Sequence, residues 1–200
     1  MPAADAADPA PPAPARRVRL FTALELPAAT RDALAARRDE QIARDAAWRP
    51  VAHGALHVTL CFLGWRARDD AGPIARVLER CAAGVPGVEL EVGAGALLPP
   101  RRPRVLAVDL HDGGGVLGAF QAALAGELAA AGLFEPVRRP SRAGGTVAAR
   151  ARTAPRPRRR ELPPPGAPAF RAPAATLYRS RLERGGARYE PLVSAALGGA

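Results

Sequence analysis

Strand-length apolar segments alternate with helical ones along this chain of 200 residues, and this order limits the possible fold more than any other feature. The segment 56–65 (LHVTLCFLGW) gives the strongest strand signal, with β-branched and aromatic residues over ten positions. A helix is indicated instead where apolar residues recur every three or four positions, as do Leu117, Phe120, Leu124 and Leu128. The chain therefore combines both kinds of element, in alternation.

The predicted elements follow the order β-α-β-α-β-β-α-β-β, and each half of the chain contains a strand, a long helix and a second strand. Helices are predicted at 28–46, 71–83 and 116–131. Strands are predicted at 18–26, 56–65, 88–98, 105–110, 174–182 and 187–192, with a further short strand at 146–150. Trp48-Arg49-Pro50 is predicted to be a turn, and the last two strands a hairpin. This pattern predicts an α+β protein with two pseudo-equivalent lobes.

Composition changes sharply at two places. Residues 1–15 (MPAADAADPAPPAPA) are rich in Ala and Pro, which predicts a disordered extension before a single domain at 16–200. Within that domain, the proline- and arginine-rich stretch at about 151–168 predicts a mobile basic loop. The sequence shows neither a signal peptide nor an apolar run of about 18–20 residues, so a cytoplasmic protein with no membrane partner is expected. A monomer is expected as well.

The net charge is +10, and every basic residue is Arg. Two interpretations stay open. A GC-rich genome favours arginine codons, whereas a polyanionic ligand favours arginine side chains, whose planar forks match phosphate oxygens. Charge alone does not decide between them.

His57 and Thr59 are the residues best suited to carry chemistry. Side chains alternate between the two faces of a strand, so these two project from one face, about 6.6–7 Å apart. Both can then reach a single phosphate, where an imidazole can transfer a proton and a hydroxyl can bind a nonbridging oxygen. The alternative is a half-buried strand whose polar face happens to carry His and Thr.

Four stretches, in order, resemble the 2'-5' RNA ligase / RNA 2',3'-cyclic phosphodiesterase family of two-histidine phosphoesterases. The stretch 56–64 (LHVTLCFLG) is similar to the family's first His-x-Thr-x motif, and 18–27 (VRLFTALELP) to its first strand. The stretch 98–109 (LPPRRPRVLAVD) resembles its central Pro-Arg loop and the strand after it. The stretch 176–192 (TLYRSRLERGGARYEPL) resembles its C-terminal signature, so the resemblance covers 17–197.

The resemblance implies two pseudo-symmetric lobes of antiparallel sheet backed by helices, with a His-x-Thr-x motif from each lobe facing across a central cleft. One histidine acts as general acid and the other as general base, and water opens a 2',3'-cyclic phosphate RNA end to a 2'-phosphate. Some members join RNA ends through a 2'-5' linkage. In this resemblance His57 takes the place of the proton donor, and Thr59 takes the place of the motif threonine that binds the phosphate. The resemblance implies no metal and no cofactor.

The second motif departs from the family pattern. It aligns with 139–150 (RPSRAGGTVAAR), where Ser141 replaces an aromatic residue, Ala143 replaces a proline and Gly144 replaces the catalytic histidine. Thr146 is retained. The alignment therefore predicts a second motif without its imidazole.

Other residues could compensate only in part. Thr146, Arg142 and Arg150 are predicted to bind phosphate, but an arginine is a poor base because it stays protonated. His53 and His111 are possible substitutes for the missing imidazole. One general acid or base contributes about 10²–10⁴-fold to a rate, so the loss of the second imidazole should lower the rate by a similar factor. Two functions remain: a weakened cyclic phosphodiesterase, or an inactive relative that binds RNA or nucleotide ends.

Overall fold

The computed structural model describes residues 17–44, 48–98, 105–135, 144–150, 169–183 and 186–198. The predicted extension at 1–15, the predicted basic loop at 151–168 and Arg142 lie outside these ranges. No helix within the described ranges is long and apolar enough to cross a membrane.

The structure is α+β, as the sequence predicts, and each predicted helix and strand is present within a few residues of its expected bounds. The helices are α1 (Ala28–Arg44), α2 (Ala71–Ala83) and α3 (Val116–Ala130). The strands are β1 (Arg17–Leu24), β2 (Trp48–Pro50), β3 (Val58–Ala67), β4 (Val88–Leu98), β5 (Val105–His111), β6 (Gly144–Arg150), β7 (Phe170–Ala172), β8 (Ala174–Glu183) and β9 (Gly186–Ala196). The prediction of a turn at 48–50 was wrong, because these residues pair with β6 as strand β2.

Two antiparallel halves join into one hydrogen-bonded sheet with the strand order β7-β4-β5-β6-β3-β1-β8-β9. Strand β2 pairs with the C-terminal end of β6. Within each half, neighbouring strands pair over three or more positions. Between the halves, β3 and β6 pair at a single position, Val58 with Gly145. This arrangement confirms the two pseudo-symmetric lobes and places the two motif strands side by side at their junction.

The hydrophobic core lies between one face of this sheet and the helices. Leu20 and Leu24 of β1 and Val58 of β3 pack there with Ile74 and Leu78 of α2, and all five are almost fully buried. Burying a large aliphatic side chain contributes about 1.5–3 kcal/mol. The opposite face of the sheet is therefore left for polar and aromatic residues of the two motif strands and their neighbours.

The turn before α3 shows how the sequence fixes a helix start. Gly115 adopts a left-handed backbone conformation (φ 68°), which suits glycine best. Asp112 directly precedes the three glycines at 113–115. Its carboxylate accepts a hydrogen bond from the backbone N–H of Gly118 at 3.0 Å. This bond satisfies one of the backbone N–H groups that the first turn of a helix leaves without a partner.

Two irregularities in the pairing of β1 with β3 change which face some side chains occupy. Between Leu20 and Phe21 the partner jumps from Gly64 to Phe62, and a second shift in the register follows between Thr22 and Ala23. Bulges of this kind bend a strand and re-aim its side chains. As a result Thr59 and Phe62, three positions apart, are both exposed.

Candidate functional site

The backbone just before β3 holds the ring of His57. A 3-10 turn spans His53–Ala55, and His57 lies one residue before β3, which begins at Val58 rather than at the predicted residue 56. The Nδ1 atom of His57 lies 2.7 Å from the carbonyl oxygen of Ala55, so Nδ1–H is the donor. The other ring nitrogen, Nε2, lies 3.2 Å from Oγ1 of Thr59. Thus the predicted proximity of this imidazole and hydroxyl is confirmed.

Aromatic side chains from three strands surround the half-buried imidazole. The ring centroids of Phe21 on β1 and Tyr189 on β9 lie 4.9 Å and 5.2 Å from that of His57. Tyr178 on β8 stacks on Phe21, with centroids 5.2 Å apart. Contacts on several sides restrict the ring to one orientation, with Nε2 towards Thr59.

This environment lowers the pKa of His57 below its usual 6.5, because burial disfavours the charged imidazolium. The hydrogen bond to the carbonyl of Ala55 opposes the shift only in part. Burial also raises the pKa values of the Tyr178 and Tyr189 phenols, so both remain protonated at neutral pH. In the absence of ligand, the neutral imidazole therefore predominates at pH 7.

The strands of the two motifs, β3 and β6, pair through the middle residue of each aligned His-x-Thr segment. Gly145 pairs with Val58 on one side and with Val108 of β5 on the other. Strand alternation then places positions 144 and 146 on the sheet face that carries His57 and Thr59. The structure thus brings the two aligned stretches side by side, with position 144 on the face of His57 and Thr59.

The remaining predicted phosphate-binding positions are placed by strand pairing. Thr146 is opposite Ala107 of β5, and Arg150 is opposite Trp48 of β2, at the far end of β6 from Gly144. Arg142 lies outside the described residues. The phosphate-binding roles of these three residues stay predictions.

His53 and His111 are both engaged elsewhere. The Nε2 atom of His53 lies 2.7 Å from Oδ1 of Asp32 on α1. His111, the last residue of β5, packs over Gly93 of β4, where an added Cβ would come within 2.6 Å of the imidazole Nε2. Neither contact directs the ring towards Thr59.

The chain is similar to known phosphoesterases. The family model of LigT-like phosphoesterases matches residues 24–107. A solved phosphoesterase is 30% identical, with a TM-score of 0.70 over 90% of this chain and 98% of the other. E. coli LigT in its apo form is 27% identical, with a TM-score of 0.73 over 90% of this chain and 98% of the other.

The structure of TT0787 from Thermus thermophilus, 24% identical, supports the fold alone, with a TM-score of 0.79 over 90% of this chain and 98% of the other. No curated protein sequence gives a match. The chain belongs to the family of LigT-like phosphoesterases.

In this LigT-like phosphoesterase, the motif face also carries residues that the sequence did not single out. Arg19 and Phe21 alternate along β1 and reach the motif face, where an Arg19 Nη1–H donates to Oγ of Ser180 at 3.2 Å. Asp109 is opposite Gly144 on β5. The period-two pattern of β1 could have indicated Phe21, but only the strand order places Asp109 beside the second motif.

The pKa of His57 can be measured directly. We expect its NMR titration midpoint to lie below 6.5 in the free protein, because burial favours the neutral ring. His57→Gln identifies the resonance by removing it, and a midpoint at or above the usual value without ligand would contradict the described environment.

Proposed function

We propose that this LigT-like phosphoesterase hydrolyses RNA 2',3'-cyclic phosphate ends to 2'-phosphomonoesters. The observation that carries the proposal is the orientation of His57. Its Nδ1–H is held by the backbone, and its Nε2 lies beside the Thr59 hydroxyl on an accessible sheet face. A ring held in this way can deliver a proton from one defined atom, which is what a leaving alkoxide requires.

His57 acts as the proton donor in this proposal. The free protein favours the neutral imidazole, so the incoming phosphate must supply the negative charge that raises the pKa of the ring. Nε2–H then protonates the 3' oxygen as its bond to phosphorus breaks. Thr59 binds a nonbridging oxygen, and Thr146, Arg142 and Arg150 complete the phosphate site. The reaction needs no cofactor.

The relatives support a nucleotide ligand. Structures of E. coli LigT have been solved with 3'-AMP, ATP, NADP+ and phosphate. These ligands share phosphate groups, and three of them carry adenosine. We infer that this chain likewise takes a nucleotide phosphate at His57 and Thr59, and that it works as a cytoplasmic monomer on RNA ends.

A second function is favoured by one specific observation. Gly144 occupies the position of the second catalytic histidine and offers no proton acceptor. A chain in which nothing replaces this group would bind a 2',3'-cyclic end without opening it. Binding without product formation distinguishes this inactive relative from the enzyme.

His57→Ala should reduce the kcat for a nucleoside 2',3'-cyclic phosphate by about 10²–10⁴-fold, since a general acid contributes that much. Separation of the 2'- and 3'-phosphate products by chromatography gives both the rate and the direction of ring opening. His53→Ala is the matched control and should retain the wild-type rate, because His53 pairs with Asp32 on α1. An unchanged rate in His57→Ala would rule out the proposed role.

A further inference from the structure

A carboxylate stands beside the position that lacks its histidine. In the pairing of β5 with β6, Asp109 is opposite Gly144 and Ala107 is opposite Thr146. Opposite residues of an antiparallel pair share a face, and their Cβ positions are about 4.5–5.5 Å apart. Asp109 is partly exposed, whereas its neighbours Val108 and Leu110 are buried in the core. Its side chain therefore belongs to the face of the two motifs.

We propose that Asp109 is the general base of this enzyme and replaces the imidazole missing at Gly144. This inference rests on the proposed phosphodiesterase function. A carboxylate can accept a proton from water, which neither glycine nor a protonated arginine can do. Among the described residues of β5 and β6, Asp109 is the one proton acceptor that pairs with the altered motif position.

The spacing across the sheet suits a base that acts through water. Asp109 is two strands from Thr59, so their Cα atoms are about 9.6 Å apart at a strand spacing of about 4.8 Å. The intervening strand presents Gly144, which has no side chain to fill the space above it. The space above Gly144, between Thr59 and Asp109, can therefore take a phosphate and an attacking water.

The proposed step is an attack of water on phosphorus. Asp109 takes a proton from water as the water oxygen forms a bond to phosphorus. The bond from phosphorus to the 3' oxygen breaks, and that oxygen takes the proton from Nε2 of His57. The products are a 2'-phosphate and a free 3'-hydroxyl. Exchange of protons with solvent then restores the carboxylate and the imidazolium.

The test is Asp109→Asn, which keeps the size and removes the proton acceptor. We expect kcat to fall about 10²–10⁴-fold, with little change in KM and in binding of the cyclic phosphate. Glu91→Gln is the matched control and should retain the wild-type rate. Glu91 is an exposed carboxylate on the neighbouring strand, opposite His111.

A second substitution keeps the test decisive if Asp109→Asn lowers activity by distorting the sheet. Adding Gly144→His to Asp109→Asn should restore turnover, with a pH–rate profile that rises near the usual imidazole pKa of about 6.5. A wild-type chain without turnover would overturn both the function and this inference. An active wild type whose rate Asp109→Asn retains would overturn the role of Asp109 alone.

An aromatic surface next to the phosphate site carries a second, independent inference. Phe62 and Trp65 on β3 are 50% and 55% exposed, although large aromatic side chains are usually mostly buried. The Arg19 guanidinium carbon lies 4.6 Å from the centre of the Phe62 ring. The bulges in β3 bring Phe62 to the same face as Thr59, so this surface continues from the phosphate site along the strand.

We propose that Phe62, Trp65 and Arg19 bind the nucleobases that precede the cyclic end of a single-stranded RNA. Aromatic faces stack on bases of any sequence, and arginines beside them attract the phosphate backbone. The net charge of +10 attracts a polyanion such as RNA. The substrate is then an oligonucleotide end rather than a mononucleotide, which deepens the proposed function.

Substrate length tests this surface. The wild type should hydrolyse a trinucleotide that ends in a 2',3'-cyclic phosphate with a kcat/KM about 10-fold or more above that of the mononucleotide. Phe62→Ala and Trp65→Ala should abolish this preference, so that the kcat/KM for the trinucleotide falls to about that for the mononucleotide. Leu192→Ala, at an exposed apolar position on β9, is the matched control and should keep the preference. Equal kcat/KM values for both substrates in the wild type would overturn the proposal.

Discussion

The pairing of Val58 with Gly145 is the constraint on which the site depends, because it is where the two halves of the sheet meet. The two motifs are almost ninety positions apart in sequence, and each lies on a strand of a different lobe. A single antiparallel pair fixes their register, and the period of two then sets which residues share the motif face. A shift by one residue would turn His57 and Thr59 into the core and expose Val58.

The surroundings of His57 order its ring and also lower its pKa. Phe21, Tyr178 and Tyr189 fix the ring, but the burial they cause lowers its pKa and disfavours the protonated form that a general acid needs. In the proposed reaction a bound phosphate resolves this conflict, because its negative charge raises the pKa of the ring again. Under that proposal the site couples protonation to substrate binding, and a ring already ordered does not have to reorient in the transition state.

Under the proposed role of Asp109, the proton acceptor lies on the strand next to the second motif while the fold persists. The lateral spacing in a sheet is about 4.8 Å, so a functional group on β5 differs in position from one on β6 by little more than the length of a side chain. With Asp109 opposite Gly144, a proton acceptor remains near the cleft although the motif has lost its own. The same sheet face extends along β3 to the exposed rings of Phe62 and Trp65.

Local patterns in the sequence determined much of this protein. Periodicity alone predicted the three helices and the main strands, and the His-x-Thr spacing placed His57 and Thr59 on one face, because side-chain direction in a strand follows from position. The alignment of the second motif likewise identified Gly144. Tertiary structure decided what lies beside these residues. Strand order put Asp109 next to Gly144 and Tyr189 against His57, and bulges turned Phe62 outward. These contacts depend on non-local hydrogen bonding between strands, which no pattern within a single segment specifies.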